Sequence, residues 1–317
     1  MKTKAILLGS LAIALAACSH DENVATDTGN GQALFSASIE GQNKTRAYDR
    51  TWEKNDLIGI TGTTGNKTYT NVAYKTENGN GNFKAATSGT EIYYQDDNTV
   101  SFTAYYPCKD LAAGVTTIEA DTWVQSIQKS FDFLFATGTG SKSVPNVAFK
   151  FDHKMAKIVL TIKKGTDINW DDVKDAALSL EGFKHTGTFN TADGTTATDD
   201  GVTVMWQFAH NADDPAYNAP STENTDNETV AYTFIMFPQT FSDKLPFYAQ
   251  LSENHALTAQ LDFTEANRNA GDETPKNEWV AGRQYNMSVT LNKTSITVDG
   301  CEISAWKPAD GGNVDAD

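Results

Sequence analysis

The side chains able to do covalent or metal chemistry are few in this chain and badly spaced for it. The five histidines, His20, His153, His185, His210 and His255, show no HExxH or His-x-His spacing. Cys18, Cys108 and Cys301 are too scattered for a zinc pattern or a disulfide framework, so free thiols are the default for the last two. There is no GxSxG nucleophile turn and no glycine-rich phosphate loop. The acid pairs Asp171-Asp172, Asp199-Asp200 and Asp213-Asp214 fit no calcium-loop register and read as solvated loop charge. Trp123, Trp170 and Trp279 could be pictured as a sugar platform, but burial is the simpler expectation for them. The residues therefore predict no enzyme, no cofactor and no metal. What remains is chemistry done to the chain by others. Arg46-Ala47 follows the polar loop Gly41-Gln42-Asn43-Lys44-Thr45, where a trypsin-like protease could cut, and Arg50 offers a second site four residues on.

The first residues carry the other modification signal. Lys2 and Lys4 precede the apolar run from Ala5 to Ala17, which is too short to span a bilayer and reads as a signal peptide over 1–17. The run ends in Leu15-Ala16-Ala17-Cys18, which resembles a bacterial lipobox and implies lipid on the Cys18 sulfur. Ser19 to Gln32 is polar and aperiodic, a spacer between that lipid and the fold. The formal charge of the 317-residue chain is −16, and loss of the two lysines takes it to −18. No basic cluster offsets this, so nucleic acid is excluded as the main partner.

The elements that must position the cut site are strands. Phe35, Ala37 and Ile39 alternate with Ser36, Ser38 and Glu40, so a strand precedes the loop. Similar alternation recurs at Val100 to Tyr106, Val147 to Phe151, Ala156 to Ile162, Val202 to Phe208, Val230 to Met236, Leu257 to Phe263 and Tyr285 to Leu291. Ile296 and Val298 read as a further strand, Asp299-Gly300 as a turn, and Cys301, Ile303 and Ala305 as another strand. Asn211 to Asn227 reads as an exposed loop, and Asn169 to Ala177 as one or two helical turns or a loop. Charge and glycine at Lys163-Lys164-Gly165 suggest a boundary between an N-terminal domain over 47–165 and a C-terminal domain over 166–317. Many short strands and few helices predict an all-β chain of two β-sandwich domains.

The ordered features resemble the fimbrillin-like lipoproteins of Bacteroidales. The likeness is carried by the lipobox, by Arg46-Ala47 after a first strand, and by Thr51-Trp52-Glu53-Lys54-Asn55-Asp56-Leu57-Ile58-Gly59-Ile60. It continues through Phe102 to Pro107, Val147 to Lys157, Trp279 to Leu291 and Ile303-Ser304-Ala305-Trp306. Cys108 departs from the pattern, where an aromatic would be more usual. The resemblance implies a subunit of a type V pilus with two transthyretin-like domains. It implies a lipidated leader over 18–46, anchored in the outer membrane through Cys18, and an arginine-specific protease that cuts Arg46-Ala47 and removes the first strand. Its partners would then be other pilin subunits, head to tail, with a host or bacterial surface ligand besides. The donor strand would lie within Ser295 to Trp306, with Ile296, Val298, Cys301, Ile303 and Ala305 filling a neighbour's groove. Loss of 18–46 removes four acids and two bases and leaves a charge of −16. The competing reading is a monomeric surface lipoprotein that keeps its first strand and binds a glycan or host protein.

Overall fold

The computed structural model describes residues 30–40, 51–201, 205–210 and 213–306. The first half contributes β1 (Leu34–Ile39), β2 (Leu57–Thr64), β3 (Lys67–Lys75), β4 (Asn82–Ala85), β5 (Val100–Tyr106), β6 (Thr117–Asp121), β7 (Leu134–Gly140) and β8 (Asn146–His153). Next come β9 (Ala156–Lys164), β10 (Ala177–Leu180), β11 (Thr186–Asn190), β12 (Thr196–Thr198), β13 (Trp206–Ala209) and β14 (Ser221–Asn224). The chain continues with β15 (Thr229–Met236), β16 (Gln239–Thr240), β17 (Leu245–Ser252) and β18 (His255–Leu261). It closes with β19 (Glu278–Trp279), β20 (Arg283–Leu291) and β21 (Ile296–Ala305). The helices are short: α1 (Trp170–Lys174), α2 (Thr264–Asn269) and two 3-10 turns, Gln125–Ser130 and Pro215–Tyr217. The all-β expectation holds.

Seven strands close into a barrel in the order β1-β4-β3-β2-β5-β7-β8. All its neighbours are antiparallel except β1 and β8, which run parallel from Leu34 opposite Asn146 to Ile39 opposite Phe151. A parallel pair needs a long crossover, and here the crossover is the rest of the barrel. β1 is thus the stave that turns an open sheet into a closed one. Ile58, Ile60, Phe83, Phe102, Val147, Phe149 and Phe151 fill the interior.

The second body is a two-layer sandwich. One layer is ordered β14-β15-β9-β20-β21 and the other β13-β10-β17-β18. Ile158, Leu160, Trp206, Phe208, Phe247, Met287 and Val289 share one core between them. A third, smaller cluster bridges the two bodies, with Phe133 from the barrel side stacked on Phe189 at 4.5 Å and Trp306 among its members.

Three local expectations meet a different outcome. The stretch 211–227 is not loop throughout, because β14 pairs with β15 there. Its four side chains are all exposed, so a solvated edge strand leaves no alternation to read. Asp299-Gly300 is not a turn between two strands but a bulge inside one. Val298 pairs with Val289 and Gly300 with Ser288, which leaves Asp299 as the extra residue. Gly300 has φ of 140°, a conformation that favours glycine. The apolar positions accordingly switch from even numbers at 296 and 298 to odd ones at 301 and 303. Finally, strand pairing crosses residue 165: β9 ends at Lys164, yet both its partners, β15 and β20, lie beyond it.

Candidate functional site: the seat of the first strand

Local chemistry explains why Leu34–Ile39 lies where it does. Every second side chain is apolar and inward, and the edges on both flanks offer matching backbone groups. On the β8 side, Leu34 N–H donates to Pro145 O at 3.0 Å and Glu40 N–H to Phe151 O at 2.8 Å. On the other side, Phe35 faces Phe83 and Ser36 faces Asn82 of β4. Ala33 N–H reaches Ile92 O at 2.9 Å, and Ala37 N–H reaches Gly81 O at 2.7 Å. Gly81 has φ of 81°, and a Cβ there would stand 2.5 Å from Ala37 O, so only glycine lets the backbones approach this closely.

Where β4 ends, a tryptophan takes over. Trp52 Nε1–H donates to Ala37 O at 2.8 Å. Its ring packs edge-on to Phe83, Phe151 and Tyr106, with centroids 5.1, 5.3 and 5.5 Å away. A turn in Trp52-Glu53-Lys54-Asn55-Asp56 fixes that ring: Asp56 accepts the Glu53 N–H at 2.7 Å, and Asn55 has φ of 71°, a value asparagine tolerates well. Burial raises the Asp56 carboxyl above its ordinary range, although Tyr106 O–H donates to it at 3.2 Å. A cavity of about 430 Å³ adjoins this end of β1, lined by Ile39, Trp52, Tyr106 and Leu134 from the barrel and Pro220 and Ile235 from beyond it.

Of the inward side chains in 33–39, Ala37 is partly buried and the other three are sealed. Phe35 is 3% exposed, Ile39 5% and Ala33 1%. The Phe35 ring meets Tyr74 and Phe102 edge-on at 4.9 and 5.3 Å and lies parallel to Phe149 at 5.7 Å. At the outward end, Lys150 Nζ donates to Glu40 Oε1 at 2.6 Å. A hydrogen bond with Asp152, then Lys150, holds the Glu40 carboxyl below its usual range, while burial and Glu40 push Asp152 up.

The expected donor residues lie together on β21, the outer strand of the five-stranded sheet, bonded only to β20. Ile296, Cys301 and Ile303 are half-buried against the sandwich core, and Val298 is 36% exposed. β21 contains Ala305, the last residue before Trp306, whose ring stacks on His153 at 3.9 Å and 6°. His153 is buried, and its Nδ1 sits 2.9 Å from Asp132 Oδ1. Cys108 and Cys301 are both free thiols, and burial pushes Cys301 up to about 12. Of the three tryptophans weighed as a sugar platform, Trp279 is buried, while Trp123 and Trp170 are partly buried against the same core. Cys18, Arg46, Ala47 and Arg50 lie outside the described residues. Among the described residues no cluster of three or more His, Cys, Asp or Glu side chains could hold a metal ion.

What sequence reasoning missed is the lining of the seat: Tyr74, Phe83, Gly81, and Trp52 as a hydrogen-bond donor to β1. The turn residues around Trp52 were the available signal. The arrangement holds one strand by its edges and side chains within an all-β fold.

The comparisons agree with that fold. The fimbrillin-like family model matches residues 45–306, and the chain belongs to that family. A candidate fimbrium subunit of Bacteroides uniformis, Fim1C, is 28% identical over 326 residues and 98% of both chains. The crystal structure of a candidate cell adhesion protein from Bacteroides uniformis superposes with a TM-score of 0.65 at 27% identity, over 87% of this chain and 100% of the other. A second such protein, from Bacteroides ovatus, gives a TM-score of 0.67 at 23% identity, over 88% and 99%. This is a family of structural fimbrial and adhesion subunits, not of enzymes.

Proposed function

We propose that the protein is a structural and adhesive subunit of a surface fimbrium, assembled by exchange of strands between neighbours. It is exported as a lipoprotein held in the outer membrane through Cys18. An arginine-specific protease cuts Arg46-Ala47, and β1 departs with the lipidated leader. The vacated slot between β4 and β8 then takes the C-terminal strand of the next subunit. The observation that carries this reading is the position of β1: it alone closes the barrel, and only residues 40–56 link it to β2.

The physics of an emptied slot supports the rest. Loss of β1 strips partners from backbone groups of β8 and β4 and uncovers aromatic sockets, and such an edge recruits a strand. While the tether is intact, β1 competes as an intramolecular ligand at high effective concentration; once cut, it is diluted to bulk. Head-to-tail donation does not close on itself and yields a filament. Strand pairing also favours a two-domain description in which the second domain begins with β9.

The test is N-terminal sequencing and intact mass of the protein released from the cell surface, with gels of unboiled samples. The expected N-terminus is Ala47, with a ladder that collapses on boiling, and Arg46→Gln should abolish both. A lipidated Cys18 terminus that resists an arginine-specific protease, with no ladder, would overturn strand exchange and leave an anchored surface binder.

A further inference from the structure

The seat of β1 also specifies what can replace it, an inference that rests on the removable-strand reading above. Along this strand the inward positions run Ala33, Phe35, Ala37 and Ile39: small, aromatic, small, branched. The second position is the demanding one. Tyr74 and Phe102 present their edges or faces to the Phe35 ring and Phe149 lies parallel to it, so the socket is shaped for a flat ring.

The chain's own C-terminal strand offers no ring on either of its apolar faces. β20 cannot serve, because it is the central strand between β9 and β21 and its Tyr285, Met287, Val289 and Leu291 are fully buried. That leaves 294–305, where the bulge at Asp299 divides the inward-capable residues into two sets. One is Thr294, Ile296, Val298 and Gly300, and the other is Cys301, Ile303 and Ala305. In either strand direction and in any register, these two sets give the Phe35 socket nothing larger than isoleucine. Setting Trp306 at the place of Phe35 would put Asp310 where Ile39 is now buried if the strand ran in β1's direction, and Glu302 there if it ran in reverse, because the pleat has a period of two. Setting Ile303 at the place of Phe35 with β1's direction would put Lys307 where Ile39 is now buried.

We infer that the groove is built for a donor strand carrying an aromatic side chain at its second inward position, with small residues on either side. Its occupant in the fimbrium is therefore a different subunit, and not a second copy of this chain. A copy would leave part of the socket empty, and the lining would lose its contacts on that side. The chain then has a defined neighbour on its acceptor side and does not repeat itself along a homopolymer.

The experiment uses the full chain cut with an arginine-specific protease and then held with an excess of one of three synthetic strands. These are residues 32–40, residues 295–306, and residues 295–306 carrying Ile303→Phe. Native mass spectrometry reads occupancy, and titration gives relative affinity. Residues 32–40 should bind, residues 295–306 should bind on the order of tenfold to a hundredfold more weakly, and Ile303→Phe should recover most of the difference. Equal binding of the 32–40 and 295–306 strands would overturn the heterotypic assignment while leaving strand exchange intact. Equal weakness of the 295–306 strand and its Ile303→Phe variant would also overturn it. Failure of all three, 32–40 included, would sink the removable-strand reading and this inference with it.

Discussion

The two ends of the molecule hold their terminal strands in opposite ways. β1 is bonded on both flanks, closes a barrel and buries Phe35 and Ile39 almost completely. β21 is bonded on one flank only, is interrupted by a bulge, and leaves its apolar residues half-covered. Free energy thus favours keeping β1 and only modestly favours keeping β21. Under the proposed function the consequence would be an ordering: the tightly held strand would need a cut tether and a competitor before it leaves, whereas the loosely held one could be offered to a neighbour at small cost.

The contrast can be broken most decisively at Phe35. Phe35→Ala should cost about 3–5 kcal/mol, the usual range for emptying a well-packed aromatic site, read as a fall in the urea midpoint of the barrel followed by Trp52 fluorescence. A loss under about 1 kcal/mol would mean that the seat relaxes around the gap and that β1 is not tightly held.

Acid should separate the two bodies next. His185 lies among Trp123, Phe183 and Trp206 on the sandwich side, and burial lowers its pKa to about 4. Below the unfolded value of about 6.5, the unfolded chain takes up a proton that the folded one refuses. Stability from this group is therefore present above about pH 6.5 and drains away toward pH 4, by at most about 3 kcal/mol. Hydrogen exchange, corrected for intrinsic rates, should show protection at 285–291 falling over that window more than at 34–39. Equal losses at both places would remove the distinction.

Ile303→Ala should cost less, about 1–2 kcal/mol, because the side chain is only half-buried and its neighbours can close in. Should it match Phe35→Ala in the same urea series, the two strands are equally held and the ordering argument fails. The smallest effect belongs to Lys150→Ala. The Lys150–Glu40 pair is exposed, so its removal should leave the midpoint of the uncut protein nearly unmoved, and any shift should vanish in high salt. A large, salt-resistant change would instead make that pair a principal fastening of β1.

Much of this architecture is legible in the order of the residues. The alternation at 34–39, 147–151, 156–162, 230–236 and 285–291 marks strands correctly, because the pleat is a local property with a period of two. The parity switch between Val298 and Cys301 is equally visible. Asp-Gly at that switch reads as a turn, because the pair usually makes one, whereas β20 continues alongside and converts it into a bulge. β14 is illegible, since an edge strand with every side chain in solvent has no pattern to show. The aromatic lining around Phe35 is visible as residues but not as a socket, because Tyr74, Phe102 and Phe149 come from three different strands.

The amino-acid sequence by itself determined the all-β class and the apolar face of each long strand, both of which are set by neighbours in the chain. Only the tertiary structure decided that β1 lies parallel to β8, more than a hundred residues away, and that Trp52 covers its end. It likewise decided that β9 pairs beyond residue 165 and that Trp306 stacks on His153. The reason is that the entropy of closing a loop grows only slowly with its length. Distance along the chain therefore says little about which strand edge a segment will find, and the choice falls to side-chain fit and unpaired backbone at the closing seam.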